Sequence, residues 1–341
     1  LISFADAGSD FLFTSFIPEV GYDQALINFA FRALPVIIFF SSLIAATYHL
    51  GVIQIIIKNI AKVMEKTMKT SGAETLSISA NIFVGQTEAP ILIRPYISKM
   101  TNSELMTVMV GGFSTVAGSV MALYVTWLNN IPEIAGHLLA ASVMSAPAAL
   151  MVAKIIYPET KSYQIINSNS IKLKSQDNNL VDAIGRGATD GLKLAANVAA
   201  MLIAFISLVA MINFILSLLG TSMQEMLGLL FKPLAWTMGI PWTDAKIVGT
   251  LMGEKIVLTE LIAFRDLSDY VSNNTISERS VIIASYALCG FANFGSIGIQ
   301  LGGIGSMAPK RKKDLSKLVF KAMLGGAIAS WLTASIVGIL I

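Results

Sequence analysis

The stretch Val84-Gly85-Gln86-Thr87-Glu88-Ala89-Pro90 decides how this chain is read. It sets a glycine, an ionisable carboxyl and a helix-breaking proline in the middle of Ser71–Met100, a segment otherwise apolar enough for a membrane. Each flank has about 13 residues, or about 20 Å at helical rise, too short for a hydrocarbon core of about 30 Å. The segment therefore reads as a re-entrant helical hairpin and not as a span. A second hairpin is expected at Thr243–Tyr270, around Gly253-Glu254-Lys255-Ile256-Val257-Leu258-Thr259-Glu260. Broken helices at membrane depth persist only where protein or a watery cavity surrounds them.

Outside the hairpins the chain is membrane-like throughout. Of its 341 residues, 55% are hydrophobic and only 13% charged, against about 25% charged in soluble proteins. So few charges cannot clothe a soluble enzyme, and a net charge of +3 implies no polyanionic partner, so no nucleic acid. One cysteine, Cys289, excludes a disulfide framework, and His49 and His137 leave little for a metal cluster. Uncharged runs at Ala33–Ile57, Leu105–Pro132, Ile134–Ala153, Leu194–Gln224, Val281–Pro309 and Ala322–Ile341 read as six spans. None has the form of a signal peptide. Residues 1–32 read as an N-terminal interfacial segment, and the chain opens at Leu1 without a methionine.

A polar, Ser/Asn/Lys-rich linker, residues 158–180, divides the rest into residues 33–157 and 181–341. Each half holds a span, a hairpin and two further spans. Similar strings follow each hairpin: Gly112-Phe113-Ser114-Thr115-Val116-Ala117-Gly118-Ser119 and Gly290-Phe291-Ala292-Asn293-Phe294-Gly295-Ser296. Assigning the basic loops and the first hairpin to one side collects 18 of the 24 Lys and Arg there, which makes that side cytoplasmic. The hairpins then enter from opposite sides. The expected fold is an all-α integral membrane protein with an inverted repeat and two re-entrant hairpins. Substrate sites of secondary transporters lie between the discontinuous helices of such repeats.

Polar side chains at membrane depth are the candidate functional groups. Glu88 and Glu260 each follow a threonine at a hairpin tip, so Thr87 and Thr259 could be N-caps and the carboxylates merely helix-start charges. The alternative has both carboxylates accepting hydrogen bonds from a polar substrate. Gln86, Asn293 and Ser296 add neutral donors and acceptors, and the last two share a helical face. Each alone could equally be glue between helices. Together they suit a small neutral solute rich in hydroxyls or amides; two carboxylates would repel an anion, and a cation stays open as an alternative. Asn81 lies one turn before the first tip. Thr115 lies where a local unwinding would bare carbonyls, an oxygen set suited to Na⁺. Phe291 and Val120 read as packing, Arg94 and Lys255 as partners of carboxylates, and Lys310–Lys313 as a cytoplasmic anchor. No Walker or dinucleotide fingerprint is present.

Gly85–Pro90 followed by Ile93-Arg94-Pro95-Tyr96 resembles the first hairpin of the concentrative nucleoside transporters. Gly111–Tyr124, Gly253–Phe264, Cys289–Gly298 and Gly302–Lys317 are similar to other strings of that family, and the resemblance runs from about Ala5 to the C-terminus. It implies a homotrimer in membrane lipid, each protomer a scaffold with a mobile transport domain, and further helices upstream of Leu1. It implies base contacts at Gln86, Thr87 and Glu88 with Val120 beside them. Ribose contacts fall to Glu260, Asn293 and Ser296, and Phe291 lines the pocket. The implied Na⁺ site is Asn81, the carbonyls of Val84 and Val116, and Thr115, where some members have serine.

The expectation is a sodium-coupled symporter of uridine or similar nucleosides in a bacterial inner membrane, working by an elevator-like shift and needing no cofactor beyond Na⁺. Proton coupling through Glu88 or Glu260 is the alternative within transport. A nucleoside-hydrolysing intramembrane enzyme is the alternative from another class, although no water-activating partner is evident for the two carboxylates.

Overall fold

A computed structural model describes residues 34–160, 171 and 177–341. The expected interfacial segment 1–32 and most of the expected linker 158–180 lie outside the described residues. Apolar runs form helices, and those helices stop where glycine, proline or a capping residue interrupts them. The first half contains α1 (Leu34–His49), α2 (Val52–Met68), α3 (Gly72–Asn81), a 3₁₀ turn (Ala89–Ile93), α4 (Arg94–Ile97), α5 (Asn102–Ser114), α6 (Gly118–Trp127) and α7 (Ile134–Ile156). The second contains α8 (Leu180–Ser217), α9 (Met223–Thr237), α10 (Ala245–Val257), α11 (Glu260–Ser272), α12 (Glu278–Leu288), α13 (Phe294–Met307) and α14 (Lys312–Leu340). No strand occurs among the described residues.

The two halves repeat element by element, and each includes a helix the sequence reading did not separate. The expected span Ala33–Ile57 is in fact two helices. The chain breaks at Leu50–Gly51, where Gly51 has φ 82°, and turns by 75°. Helix α2 keeps Ile53, Ile57 and Ala61 inward and Lys62 and Lys66 outward, so it packs on the molecule as an amphipathic helix. Its counterpart is α9; the expected span Leu194–Gln224 ends at Ser217, and Gln224 already belongs to α9. Helices α2 and α9 pack on α3 and α10, the first arms of the two hairpins.

The second hairpin has the expected two 13-residue arms, α10 and α11. The first does not. Its first arm is 10 residues, and its second is the 3₁₀ turn plus the four-residue α4, because Pro90 and Pro95 remove two backbone donors from that stretch. Both spans after the hairpins are interrupted. The break at Thr115–Ala117 was anticipated, whereas Val281–Pro309 was expected to be continuous and breaks at Cys289–Asn293. Gly290 has φ 116°, and a Cβ there would stand 2.8 Å from the Phe113 carbonyl and Ser114. The two breaks thus lie against each other, at a separation that excludes a side chain.

Helices α5, α7, α12 and α14 form the central bundle, while α1 pairs with α8. Gly187 and Gly191 allow that pairing. Added Cβ atoms would meet Ser41 O and Ile38 Cα at 2.8 Å, the close approach that small residues four apart permit in membranes. Large apolar side chains such as Phe214, Leu230 and Ile339 face outward, while Glu74, Asn81, Glu254 and Lys255 are buried. That distribution suits a lipid surround and not a watery one. Among the described residues, Asn102–Trp127, Ile134–Ile156 and Pro309–Leu340 are long and apolar enough to cross a membrane.

Candidate functional site

The two hairpin tips and the break between α12 and α13 converge on one cavity of about 450 Å³. All eight side chains singled out from the sequence line it: Gln86, Thr87, Glu88, Val120, Glu260, Phe291, Asn293 and Ser296. Its volume falls within the range of about 300–1,000 Å³ typical of small-molecule sites.

The second tip is tightly organised. Thr259 caps α11, accepting from Ile262 N at 3.4 Å. Asn293 caps α13, with Oδ1 accepting from Ser296 N at 2.8 Å, which leaves its Nδ2 to donate to Glu260 Oε2 at 2.8 Å. Tyr124 OH donates to Glu260 Oε1 at 3.2 Å, and its ring stacks on Phe264 with centroids 4.0 Å apart. Each carboxylate oxygen therefore has a side-chain donor, with acceptor capacity left for a ligand. Tyr124 comes from the first half of the chain and Glu260 from the second.

At the first tip, Thr87 is not an N-cap, contrary to one reading of the sequence. Glu88 itself turns back, accepting from Gly85 N at 3.1 Å, and its side chain is exposed to the cavity. Gln86 is fixed from both ends. Its Nε2 donates to Ser296 Oγ at 3.1 Å, and its Oε1 accepts from Gln300 Nε2 at 3.1 Å. Gln300 also donates to the Met109 carbonyl at 3.1 Å. It was not singled out from the sequence, although it lies one turn beyond Ser296 on the Asn293 face. Ser41, Asp190, Lys193 and Asn197, from α1 and α8, also line the cavity and were missed as well.

The segments that carry the four expected ion ligands meet where the first hairpin packs against the end of α5 and the break that follows it. Gly118 N donates to the Phe83 carbonyl at 3.1 Å, tying the segment of Val84 to that of Val116. Neither the Val84 nor the Val116 carbonyl accepts a backbone hydrogen bond among the described residues. Asn81 is fully buried, and neither its Oδ1 nor its Nδ2 has a partner. Thr115 Oγ1 donates to the Gly111 carbonyl at 3.0 Å, so its lone pairs remain available. An orphaned buried amide beside unbonded carbonyls is costly, and an oxygen-only set of this kind fits a hard monovalent cation.

Two expectations about charge meet different outcomes. Lys255 forms no direct ion pair among the described residues; it donates to the carbonyls of Ala287 at 2.9 Å and Cys289 at 3.2 Å, and the carboxylate that acts on its charge, from a greater distance, is Glu260. Arg94 is exposed and makes no ion pair among them. His137 is a helix residue whose ring sits edge-on to Tyr286.

Residues 137–338 match the family model described as Na⁺ dependent nucleoside transporter C-terminus, and residues 30–130 match one described as nucleoside recognition. The chain is 43% identical to Sodium/nucleoside cotransporter 1 of Rattus norvegicus, an alignment covering 99% of this chain and 54% of the relative. It spans about half the length of that protein and of the human one. It is 42% identical to the uncharacterized transporter YutK of Bacillus subtilis, covering 100% of this chain and 84% of the relative. Among solved structures, CNTnw in an inward-facing substrate-bound state is 42% identical with a TM-score of 0.89, covering 99% of this chain and 81% of that one. A doubly substituted CNTnw in an outward-facing state gives 41% and 0.88, with the same coverage.

Proposed function

Because this chain belongs to the concentrative nucleoside transporter family, we propose that it is a sodium-coupled symporter that carries nucleosides across a cell membrane. The observation that carries the reading is the convergence of eight polar and apolar side chains from both halves on one cavity, beside a buried asparagine with no partner. The base lies against Gln86, Thr87, Glu88 and Val120, and Phe291 lines the pocket. Glu260, Asn293 and Ser296 take the ribose hydroxyls. Asn81, Thr115 and the carbonyls of Val84 and Val116 would hold Na⁺, whose charge would draw the first hairpin and the α5–α6 break together and so preorganise Gln86 and Glu88.

Transport then follows an elevator-like course, in which the hairpins and the broken helices move past α1 and α8. The inward- and outward-facing CNTnw structures at similar TM-scores support that reading. We infer in the same way a homotrimer embedded in lipid, located in a bacterial inner membrane, with domain limits at residues 33–157 and 181–341. Proteoliposomes test the function. A Na⁺ gradient should drive accumulation of intact labelled uridine. Accumulation driven by a proton gradient without Na⁺, or release of free base, would overturn the reading.

A further inference from the structure

Lys255 is a charged group at the heart of the molecule that the nucleoside and ion sites leave without a role. It is fully buried, and although the Glu260 charge acts on it from a distance, no carboxylate lies within 4 Å among the described residues. Its ammonium instead faces two backbone carbonyls, Ala287 O at 2.9 Å and Cys289 O at 3.2 Å. These belong to the last turn of α12 and the start of the break that follows. The Cys289 carbonyl also accepts from Ser330 Oγ at 2.6 Å, which fixes its direction. A helix C-terminus concentrates negative partial charge, and a cation is favoured there.

The same arrangement exists in the first half with one component replaced. There α3 packs on α5 as α10 packs on α12. Near its end α3 presents Asn81, which is also fully buried, against Gly111 in the last turn of α5, just before the break. Asn81 is neutral and without a hydrogen-bond partner, so the carbonyls around it await a free cation. Near the end of the corresponding arm in the second half, a covalently attached cation already meets backbone carbonyls. The two breaks abut at Gly290 and Ser114, so these positions form a pair within the mobile domain.

The geometry points to Lys255 as a tethered cation that fills, in the second half, the place a mobile Na⁺ takes in the first. This inference rests on the sodium-coupled reading above and extends it. The repeat would offer two cation positions, and Lys255 leaves one of them exchangeable. Its fixed charge holds the α12–α13 break, and with it Asn293 and its bond to Glu260, in position whether or not Na⁺ is bound.

The test compares the parent protein with Lys255→Ala in proteoliposomes, varying Na⁺ at fixed uridine. Parent uptake should rise with a Hill coefficient of about 1 and carry one charge per neutral nucleoside. Lys255→Ala empties the carbonyl cage, so uptake at low Na⁺ should fall about 5- to 150-fold, the range for leaving buried groups unpaired. Uptake should return at high Na⁺ with a Hill coefficient approaching about 2, as the vacated cage takes a second ion. Ethylammonium added at fixed Na⁺ should restore uptake in the alanine variant and leave the parent unchanged, a response that lost packing alone does not produce. An alanine variant with the parent's Hill coefficient and no response to the amine overturns the inference and leaves the transport reading intact. If that variant is not recovered folded, the parent's charge-to-uridine ratio decides, because two charges per nucleoside require a second mobile cation and overturn the inference. A parent that ignores Na⁺ overturns both readings.

Discussion

Gln300 donates to Gln86 across 214 positions of sequence, and that bond decides which end of the Gln86 amide faces Ser296. With Gln300 Nε2 on the Gln86 oxygen, Gln86 presents its NH₂ to Ser296 Oγ at 3.1 Å. A free glutamine could present either end. Gln300→Leu should therefore weaken uridine binding about 5- to 150-fold, the range for a buried polar group left unpaired. The loss should be the same for ribose and deoxyribose nucleosides, and it should alter the ranking of bases. Competition against labelled uridine with a panel of nucleosides measures it. Unchanged base ranking would mean that Gln300 only fills space.

The sugar should be read by the second tip. Glu260 already accepts from Tyr124 and Asn293, so its remaining lone pairs require donors from the ligand. Uridine lacking a ribose hydroxyl should bind about 5- to 150-fold worse than uridine. Glu260→Gln should narrow that gap, because an amide bears the loss of a donor better than a carboxylate does. Equal competition by uridine and its 2′-deoxy and 3′-deoxy analogues in the parent would remove Glu260, Asn293 and Ser296 from the sugar site.

Ion coupling should respond to Asn81 independently of nucleoside contacts. Asn81→Ala removes a side-chain oxygen that has no protein partner. The Na⁺ concentration for half-maximal uptake should rise, while uridine affinity at saturating Na⁺ changes less. A matched rise in both would assign Asn81 to the nucleoside.

Hairpin sidedness is open to labelling, and the structure selects the positions. Ser71 is buried and unsuitable, whereas Lys69 and Asp269 are exposed. Single cysteines at those two positions, in a Cys289→Ala background, should react with an impermeant thiol reagent from opposite sides of the membrane. Reaction from one side only is incompatible with an inverted repeat.

The pairing of α1 with α8 should be sensitive to bulk at one face. Gly191→Leu would drive its Cβ to within 2.8 Å of Ile38 Cα, whereas Gly185, on the same helix, has open space around it. The first substitution should cost about 1–3 kcal/mol as overpacking, and Gly185→Leu much less. Thermal unfolding of the purified proteins compares them.

The sequence alone determined the membrane setting, the two hairpins, the paired architecture and the break at Thr115. Each of these is written in consecutive residues: apolar runs too long for a soluble surface, then glycine, proline or charge where a helix must stop. It also supplied, through its motifs and the family they resemble, the eight side chains that meet in the cavity. It missed the bend at Gly51, the separate helices α2 and α9, and the second break, because an apolar run has the same composition whether it is straight or bent. Only the tertiary structure decided the partners. Gln300 beside Gln86, Tyr124 beside Glu260 and Lys255 among carbonyls all join residues far apart in sequence. A buried polar group must find its hydrogen bond wherever packing brings one, and that location is set by how the helices cross, which no local run of residues encodes.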